Sequence, residues 1–320
     1  MEQQKQANKP RIAVIGSGYF GSLHARKFSQ SPHAELVGVC DPNSDSVGRL
    51  AKELGVQAYS DHRDLMGKVD GVSVAVPTRF HYSIGRDFLD SGADVLVEKP
   101  MCQSLGEAQD LIDLAEKKKS VLQVGHLERF NPAIGVLREH LKQPRFIECE
   151  RMAPFKKRGT DVNVVLDMMI HDIDLVLHLA DSPIKSIEAV GYPLMSDEED
   201  MAKAWIVFES GCLATITASR VSPKIDRVMK VYQAGSYMTL DLGANSFVKT
   251  DQRLRGGEEL EWSGIEKSFP KTDNLQLEAD SFAQSIATRA APVVSGMDGL
   301  RALEASLKIN ASFSGMTAVL

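Results

Sequence analysis

The sequence predicts two domains: an α/β domain with a doubly wound parallel sheet and, behind it, an α+β domain with a mainly antiparallel sheet. The length of 320 residues suits about two domains of ordinary size. In the first part of the chain, short apolar runs alternate with helical patterns, which is typical of parallel strands joined by helices. After about Gly125, strand-like runs follow one another directly, which indicates antiparallel pairing. We therefore predict domains over 1–125 and 126–320, and leave open that the last helix packs back on the first domain.

The first domain is predicted to contain six strands, most of them short apolar runs, with helices between them. The strands are predicted over Arg11–Ile15, Glu35–Cys40, Gln57–Tyr59, Gly71–Val76, Asp94–Glu98 and Val121–Val124. The helices are predicted from the Gly-rich turn to about Ser29 and over Pro42–Leu54, His81–Ser91 and Leu105–Lys118.

The second domain mixes long helices with a run of strands. Its helices are predicted over Asn131–Leu141, Asn163–Ala180, Leu275–Thr288 and Gly299–Ser314. Its strands are predicted over Arg145–Arg151, Ser186–Gly191, Lys203–Phe208, Leu213–Ser219, Arg227–Ala234 and Ser236–Leu240. The polar segment Thr250–Glu258 is predicted to be a hairpin or a loop.

Composition argues against several partners. The net charge of −6 gives no overall attraction to nucleic acid or to anionic membranes. The four cysteines form no CxxC pair and have no metal-ligand spacing to a histidine, which indicates a reducing compartment and no metal site. The first ten residues are polar, and no run of about 18 apolar residues occurs. We expect a cytoplasmic protein.

A GxGxxG motif follows the first predicted strand and opens a helix. In this context the first glycine allows a tight turn, the second lets the backbone approach a pyrophosphate, and the third allows close packing. Asp41 ends the second strand and can accept hydrogen bonds from ribose hydroxyls. It would repel a 2′-phosphate, so we expect NAD rather than NADP; the alternative is a structural turn with Asp41 as a helix cap. The predicted cofactor-binding residues of the motif are Gly16, Ser17, Gly18, Tyr19, Phe20 and Gly21.

A lysine stands at the carboxyl end of the fifth strand, within Glu98-Lys99-Pro100. Ligands of open α/β sheets bind at that edge, where an ammonium group can polarise a hydroxyl or relay a proton. The alternative is a loop lysine near a helix start. The sequence leaves open whether the Lys99–Pro100 bond is cis.

Helix 163–180 carries Asp167, His171, Asp174 and His178 in one stripe. Asp167 lies one turn before His171 and can orient its imidazole, which titrates near neutral pH and suits removal of a proton from an alcohol. A metal site is the rival interpretation, although no further ligand cluster supports it. The remaining alternative is a polar, salt-bridged helix face.

Two basic groups are candidate substrate contacts. Arg129 and Asn131 follow the last strand of the first domain, and Arg158 closes a basic run before helix 163–180. A local excess of cations in an acidic protein suits an anionic substrate such as a nucleotide sugar. The neighbouring lysines are more simply explained as solvated charges.

Taken together, these residues resemble the glucose–fructose oxidoreductase, inositol dehydrogenase and rhizopine-catabolism (Gfo/Idh/MocA) family over nearly the whole chain. The motifs that carry the resemblance are GSGYFG, Asp41, Val76-Pro77-Thr78 with His81, Glu98-Lys99-Pro100, Asp167-x-x-x-His171-x-x-Asp174 and Asp298–Glu304. The resemblance implies a Rossmann domain, an open-faced antiparallel sheet often used for dimerisation, and an active site lined by Lys99, Asp167 and His171. It also implies that Pro77, Thr78, His81, Glu98 and Lys99 take part in cofactor binding.

One stretch departs from the family pattern. Met169, Val164 and Val165 stand where small residues are common, so we expect a narrower pocket near the helix. Residues 125–132, 158–161 and 164–174 resemble the branch of UDP-N-acetylglucosamine 3-dehydrogenases, which prepare a 3-amino sugar nucleotide for lipid A.

The leading hypothesis is therefore oxidation of the C3 hydroxyl of UDP-N-acetylglucosamine by NAD. His171, oriented by Asp167, would take the proton, and Lys99 would stabilise the alkoxide, or the two would exchange roles. The predicted substrate contacts are Arg129, Asn131, Arg158 and Asp174, and the protein is expected to be a homodimer or homotetramer through its second sheet. The alternatives are a dehydrogenase of a free sugar or polyol such as inositol, and a non-catalytic dinucleotide-sensing regulator.

Overall fold

The structure, a computed structural model, describes residues 9–156, 162–255 and 259–313, with the backbone alone for 253–255 and 259–262. The chain divides into two compact units. The first contains the described residues up to Leu127 together with Asp273–Leu300. The second contains the described residues of Glu128–Thr272 and those from Arg301 onward. The division after Leu127 lies close to the border expected from the sequence, whereas segment 273–300 groups with the first unit.

The first unit is built on a six-stranded parallel sheet. Its strands are β1 (Arg11–Ile15), β2 (Glu35–Cys40), β3 (Gln57–Tyr59), β4 (Gly71–Val74), β5 (Asp94–Glu98) and β6 (Leu122–Gly125). Their order is β3-β2-β1-β4-β5-β6, and every neighbouring pair is parallel. Successive strands are added on one side of β1 up to β3 and on the other side from β4 onward. Dinucleotides bind at this change of order, between β1 and β4, in sheets of this type.

Five α-helices lie entirely within the described residues of this unit. They are α1 (Tyr19–Gln30), α2 (Ser44–Leu54), α3 (His81–Asp90), α4 (Leu105–Lys118) and α7 (Asn274–Thr288). Phe282 and Ile286 of α7 belong to the same hydrophobic core as Ile12 and Phe28, and the Phe28 and Phe282 ring centroids are 6.3 Å apart. This burial explains why a segment so late in the sequence belongs to the first unit.

The second unit contains an eight-stranded sheet. Its strands are β7 (Pro144–Met152), β8 (Ile184–Tyr192), β9 (Met201–Phe208), β10 (Leu213–Ser219), β11 (Asp226–Gln233), β12 (Ser236–Asp241), β13 (Ser246–Arg255) and β14 (Glu259–Ser268). Their order is β14-β13-β12-β11-β7-β10-β9-β8, and only β7 and β10 pair in parallel. The predicted α/β and α+β fold classes are confirmed. Of the segment predicted to be a hairpin or a loop, Thr250–Arg255 lie in β13, which pairs with β14, and residues 256–258 lie outside the described residues.

One face of this sheet packs against helices. The remaining helices are α5 (Pro132–His140), α6 (Ile170–Ala180) and α8 (Gly296–Phe313), and a π-helical turn over Val165–Met169 precedes α6. Side chains alternate along β9 between buried and half-buried, as in a strand with one face in a core. Within the described residues, no helix combines the length and apolar character needed to cross a membrane.

Candidate active site

The Gly-rich turn after β1 is tightly packed at two of its glycines and open at the third. Gly16 has φ +108°, and a Cβ on it would lie 2.4 Å from the carbonyl oxygen of Ala75. A Cβ on Gly21 would lie 2.0 Å from the carbonyl oxygen of Gly16. A Cβ on Gly18, the N-cap of α1, would meet nothing within 4 Å. The backbone is therefore accessible where a pyrophosphate would approach the helix N-terminus.

The carboxylate at the end of β2 braces this turn. One oxygen of Asp41 accepts the N–H of Ser17 at 2.7 Å, and the other accepts the N–H of Asn43 at 2.9 Å. A carboxylate has about four acceptor positions, so capacity remains for ribose hydroxyls. Tyr19 and Phe20, at the start of α1, are 61% and 41% exposed. The open backbone and the remaining acceptor positions fit NAD.

His81 lies in the interior of the first unit. It is 1% exposed; its Nδ1 is 2.9 Å from the carbonyl oxygen of Pro100, and its Nε2 is 2.8 Å from that of Val76. Burial lowers the pKa of His81. Pro77 and Thr78 begin a 3₁₀ turn at the end of β4, just before this histidine. The geometry favours a positioning role for His81, which joins the backbone after β4 to the segment after β5.

Lys99 follows β5 immediately and is half-buried. Its peptide bond to Pro100 is cis. Glu98 is 8% exposed, accepts the backbone N–H of Lys99 at 3.2 Å, and lies 2.7 Å from Nε2 of His24. Burial alone would raise the pKa of Glu98, but the hydrogen bond and charge of His24 hold it below its usual value. The lysine thus stands beside a buried, hydrogen-bonded carboxylate at the carboxyl edge of the sheet.

The second unit carries the other predicted catalytic pair. Asp167 lies in the π-helical turn, and His171 lies in the first turn of α6; both are half-buried. The N–H of Ile170 bonds to the carbonyl of Val165, five residues earlier, so the regular helix expected from Asn163 is wound more loosely here. Such π-helical turns often occur at functional sites. Val164, Val165 and Met169 are fully buried in the core, which does not support the expected narrowing of a pocket by these side chains.

Two predicted substrate contacts are bonded to each other. Arg129 donates to both carboxylate oxygens of Asp174, at 2.6 and 2.8 Å, and their side chains are 4% and 1% exposed. This buried, bidentate ion pair fixes α6 to the 3₁₀ turn that precedes α5. The geometry therefore favours a structural role for both residues.

Of the other two predicted substrate contacts, Asn131 and Arg158, the structure describes only Asn131. Asn131 is 1% exposed, caps α5 by accepting the N–H of Ala133, and donates to the carbonyl oxygen of Leu242 and the side-chain oxygen of Asn245. These hydrogen bonds make Asn131 part of the internal packing of the second unit. Arg158 lies outside the described residues.

The sequence did not predict two buried clusters of charged side chains, although Arg151 begins the basic run that Arg158 closes. In the second unit, Arg151 bonds to both oxygens of Asp172, at 2.7 and 3.0 Å, and to Glu128 at 3.1 Å. In the first unit, His24 and Glu278 lie close to Glu98. For His24 a signal existed, since Gly21, His24, Ala25 and Phe28 have the spacing of one buried helix face. The other partners are far apart in sequence and carry no local pattern.

Comparison with known proteins identifies the family. A model described as an oxidoreductase family with an NAD-binding Rossmann fold matches residues 10–126, and the GFO/IDH/MocA C-terminal domain matches residues 137–236. The chain belongs to the GFO/IDH/MocA oxidoreductase family. The predicted family and the predicted NAD cofactor are thereby confirmed, and the protein is an enzyme of the oxidoreductase class.

Individual relatives cover almost the entire chain. A UDP-N-acetylglucosamine 3-dehydrogenase from Acidithiobacillus ferrooxidans is 33% identical, covering 93% of this chain and 96% of its own. Its solved structure superposes with a TM-score of 0.90, covering 96% of this chain and 98% of that one. A scyllo-inositol 2-dehydrogenase (NAD(+)) from Bacillus subtilis is 26% identical, covering 95% of this chain and 94% of its own. Similarity thus extends over both units.

Proposed function

We propose that this enzyme oxidises the C3 hydroxyl of UDP-N-acetylglucosamine to a ketone with NAD⁺. The observation that carries the substrate assignment is the 33% identity, over 93% of the chain, to a dehydrogenase of that name. The product would be a 3-keto nucleotide sugar, which suits synthesis of a 3-amino sugar for lipid A. We place the reaction in the cytoplasm, in keeping with four buried, free cysteines.

Oxidation of a secondary alcohol removes a hydride from carbon and a proton from oxygen. NAD⁺, when bound, supplies the hydride acceptor at its nicotinamide ring. His171 would take the hydroxyl proton, because an imidazole titrates near neutral pH and Asp167 lies one turn before it. Nζ of Lys99 would stabilise the negative charge that develops on oxygen, or would exchange roles with His171.

Recognition of the diphosphate is proposed to depend on Arg158. Arg129 is paired with Asp174, and Asn131 caps a helix. These internal bonds favour structural roles for the three residues over direct contact with substrate. Replacing Arg158 by Ala should raise KM for a UDP-sugar and leave KM for a free sugar nearly unchanged. An equal change for both substrates would remove Arg158 from diphosphate binding.

A second candidate is oxidation of a free sugar or polyol such as inositol. The 26% identity to the scyllo-inositol 2-dehydrogenase over 95% of the chain favours it. The internal pairing of Arg129 also favours it, because it leaves fewer cations for a diphosphate.

The two candidates are separated by one assay. The enzyme is incubated with NAD⁺ and, in parallel, UDP-N-acetylglucosamine, UDP-glucose, free N-acetylglucosamine and inositols, and NADH absorbance and product mass are recorded. We expect NADH, and a product two mass units lighter, with UDP-N-acetylglucosamine alone. Turnover of inositol without turnover of UDP-sugars would establish the second candidate instead.

We also propose that the enzyme assembles as a homodimer or homotetramer through the sheet of the second unit. The strand pairing sets Phe146, Tyr232 and Tyr237 side by side across three strands, with ring centroids 5.6 and 4.8 Å apart. Tyr232 is 37% exposed, while its neighbour Val231 is fully buried in the core. The aromatic cluster therefore lies on the face turned away from the helices, and a second copy would cover it.

A further inference from the structure

Three titratable side chains meet in the interior of the first unit, beside the segment that carries Lys99. They are His24 of α1, Glu98 of β5 and Glu278 of α7, and one nitrogen or oxygen atom from each lies within 4.8 Å of the others. Their exposed fractions are 1%, 8% and 0%. A cluster so deeply buried has to balance its charge internally.

Two of the three are already bonded. Nε2 of His24 lies 2.7 Å from one oxygen of Glu98, and Nδ1 of His24 lies 3.0 Å from the hydroxyl of Ser73. The other oxygen of Glu98 accepts the backbone N–H of Lys99. Glu98 thus has the hydrogen bonds that stabilise an ionised carboxylate.

Glu278 stands in a different environment. Both of its carboxylate oxygens are buried, and neither has a hydrogen-bond partner among the described residues. It faces His24 from α1 and Glu98 from β5, and Gln123 of β6 donates to its backbone carbonyl at 3.3 Å. The charges of His24, Lys99 and His81 all lower the pKa of Glu98, and His24 is the member of the cluster that lies close to both carboxylates. That imidazole is already bonded to Glu98.

We propose that Glu278 is a carboxylic acid kept uncharged at neutral pH, and that Glu98 is the ionised carboxylate of the pair. Two buried carboxylates so close together cannot both carry a negative charge without a cation between them. Burial, followed by the charge of Glu98, raises the pKa of Glu278 well above its usual value. The proton on Glu278 therefore leaves a single anion beside Lys99.

The alternative is that this cluster binds a divalent cation. Two carboxylates would neutralise its charge, and a neutral imidazole would be a third ligand. The distance of 2.7 Å between His24 and Glu98 favours the proton, because a hydrogen bond occupies the space that a cation would need. The two accounts differ in what Glu278→Gln does. An uncharged amide replaces an uncharged acid with little loss, whereas it removes a ligand from a metal.

The direct test is carbon NMR of the wild-type holoenzyme labelled at the glutamate carboxyl carbon. We expect one resonance in the protonated form at about pH 7 and its absence from Glu278→Gln. Spectra in which every glutamate is ionised at that pH would overturn the proposal. So would stoichiometric metal, measured by mass spectrometry after dialysis against a chelator, that disappears in Glu278→Gln.

Stability gives a second readout that is independent of turnover. Because the pKa of Glu278 is raised in the folded state, the native chain holds a proton that the unfolded chain releases above about pH 4.3, so stability falls as pH rises. We expect the stability of Glu278→Gln, relative to wild type, to rise steadily as pH increases from about 5 through neutral. The unfolding constants of the two proteins should diverge by up to about tenfold per pH unit, and melting temperatures measured across this range report the change. The exposed Glu116→Gln is the control and should run parallel to wild type. A constant offset for Glu278→Gln would contradict the proposal.

Discussion

The side chain on which the proposed chemistry depends most is Lys99, and its surroundings are already ordered. Its backbone N–H bonds to Glu98, and Glu98 is held by His24, which in turn is held by Ser73. A Cβ on Gly125 would lie 3.1 Å from the carboxylate of Glu98, so β6 also packs tightly against this carboxylate. The lysine is therefore carried on a fixed backbone, as electrostatic catalysis requires.

Replacing Lys99 by Ala should lower kcat by about 10²- to 10⁴-fold, the usual contribution of a positioned proton-transfer or charge-stabilising group. The dissociation constant for NADH should stay within about twofold, because the Gly-rich turn and Asp41 are untouched. Steady-state kinetics and fluorescence titration measure the two, and the exposed Lys117→Ala on α4 is the control. Undiminished turnover would remove Lys99 from the mechanism.

Asp41 should determine the preference for NAD over NADP. Asp41→Asn keeps an acceptor near Ser17 but removes the charge that repels a 2′-phosphate. We expect the dissociation constant for NAD to rise by about tenfold, about 1.4 kcal/mol, while that for NADP falls. Parallel titration with both dinucleotides checks this. An unchanged ratio of the two constants would mean that Asp41 only braces the turn.

Sequence patterns predict some residues of the site but not others, because a pattern marks only residues with a regular spacing along the chain. Gly16 and Gly21 lie in a short motif, and Asp41 ends the next strand at a typical spacing, so a sequence pattern marks all three. The structure shows the close contacts that exclude side chains at both glycines. His24, Glu98 and Glu278 come from three distant segments, so only the folded chain brings them together. The same holds for Glu128, Arg151 and Asp172.

At the scale of the element, two buried ion pairs hold α6 near its start. Arg151 binds Asp172, and Arg129 binds Asp174. The two aspartates are two residues apart, so they lie on opposite sides of the helix, just after His171. Breaking such a pair leaves a buried charge without its partner, which costs more than the intact pair contributes.

Replacing Arg129 by Met should therefore destabilise the protein by about 3–5 kcal/mol, and the double change Arg129→Met with Asp174→Leu should recover part of that loss. Denaturant unfolding of Arg129→Met, Asp174→Leu and the double variant measures the coupling. Should Arg129 contact substrate instead, Arg129→Met would raise KM and leave the unfolding midpoint nearly unchanged.

Most elements could be predicted because their hydrophobic patterns are strong. The bounds of β1, β2, β3, β5, β10 and α4 agree with those expected from the sequence. β14 was not anticipated, because its residues are largely polar and its pairing with β13 is an edge contact without an apolar run. The π-helical turn before α6 was missed because its five-residue hydrogen bonding leaves no mark on apolar spacing.

At the scale of the whole molecule, the proposed assembly depends on the aromatic face of the second sheet. Tyr232→Glu would place a charge at the centre of the proposed contact between copies, where desolvation is costly. We expect the mass measured by light scattering to fall to that of one chain, 35.1 kDa. Leu277→Glu, at an apolar residue of α7 that is 44% exposed, is the control and should leave the mass unchanged. A wild-type mass of one chain would refute the proposed assembly.

The proposed hydride transfer from C3 to NAD⁺ can be followed directly with an isotope. UDP-N-acetylglucosamine carrying deuterium at C3 is incubated with the enzyme and NAD⁺, and the NADH formed is analysed by mass spectrometry. We expect NADH heavier by one mass unit, formed more slowly than from unlabelled substrate. Unlabelled NADH together with a product that retains its deuterium would contradict it, because oxidation would then have occurred at another carbon.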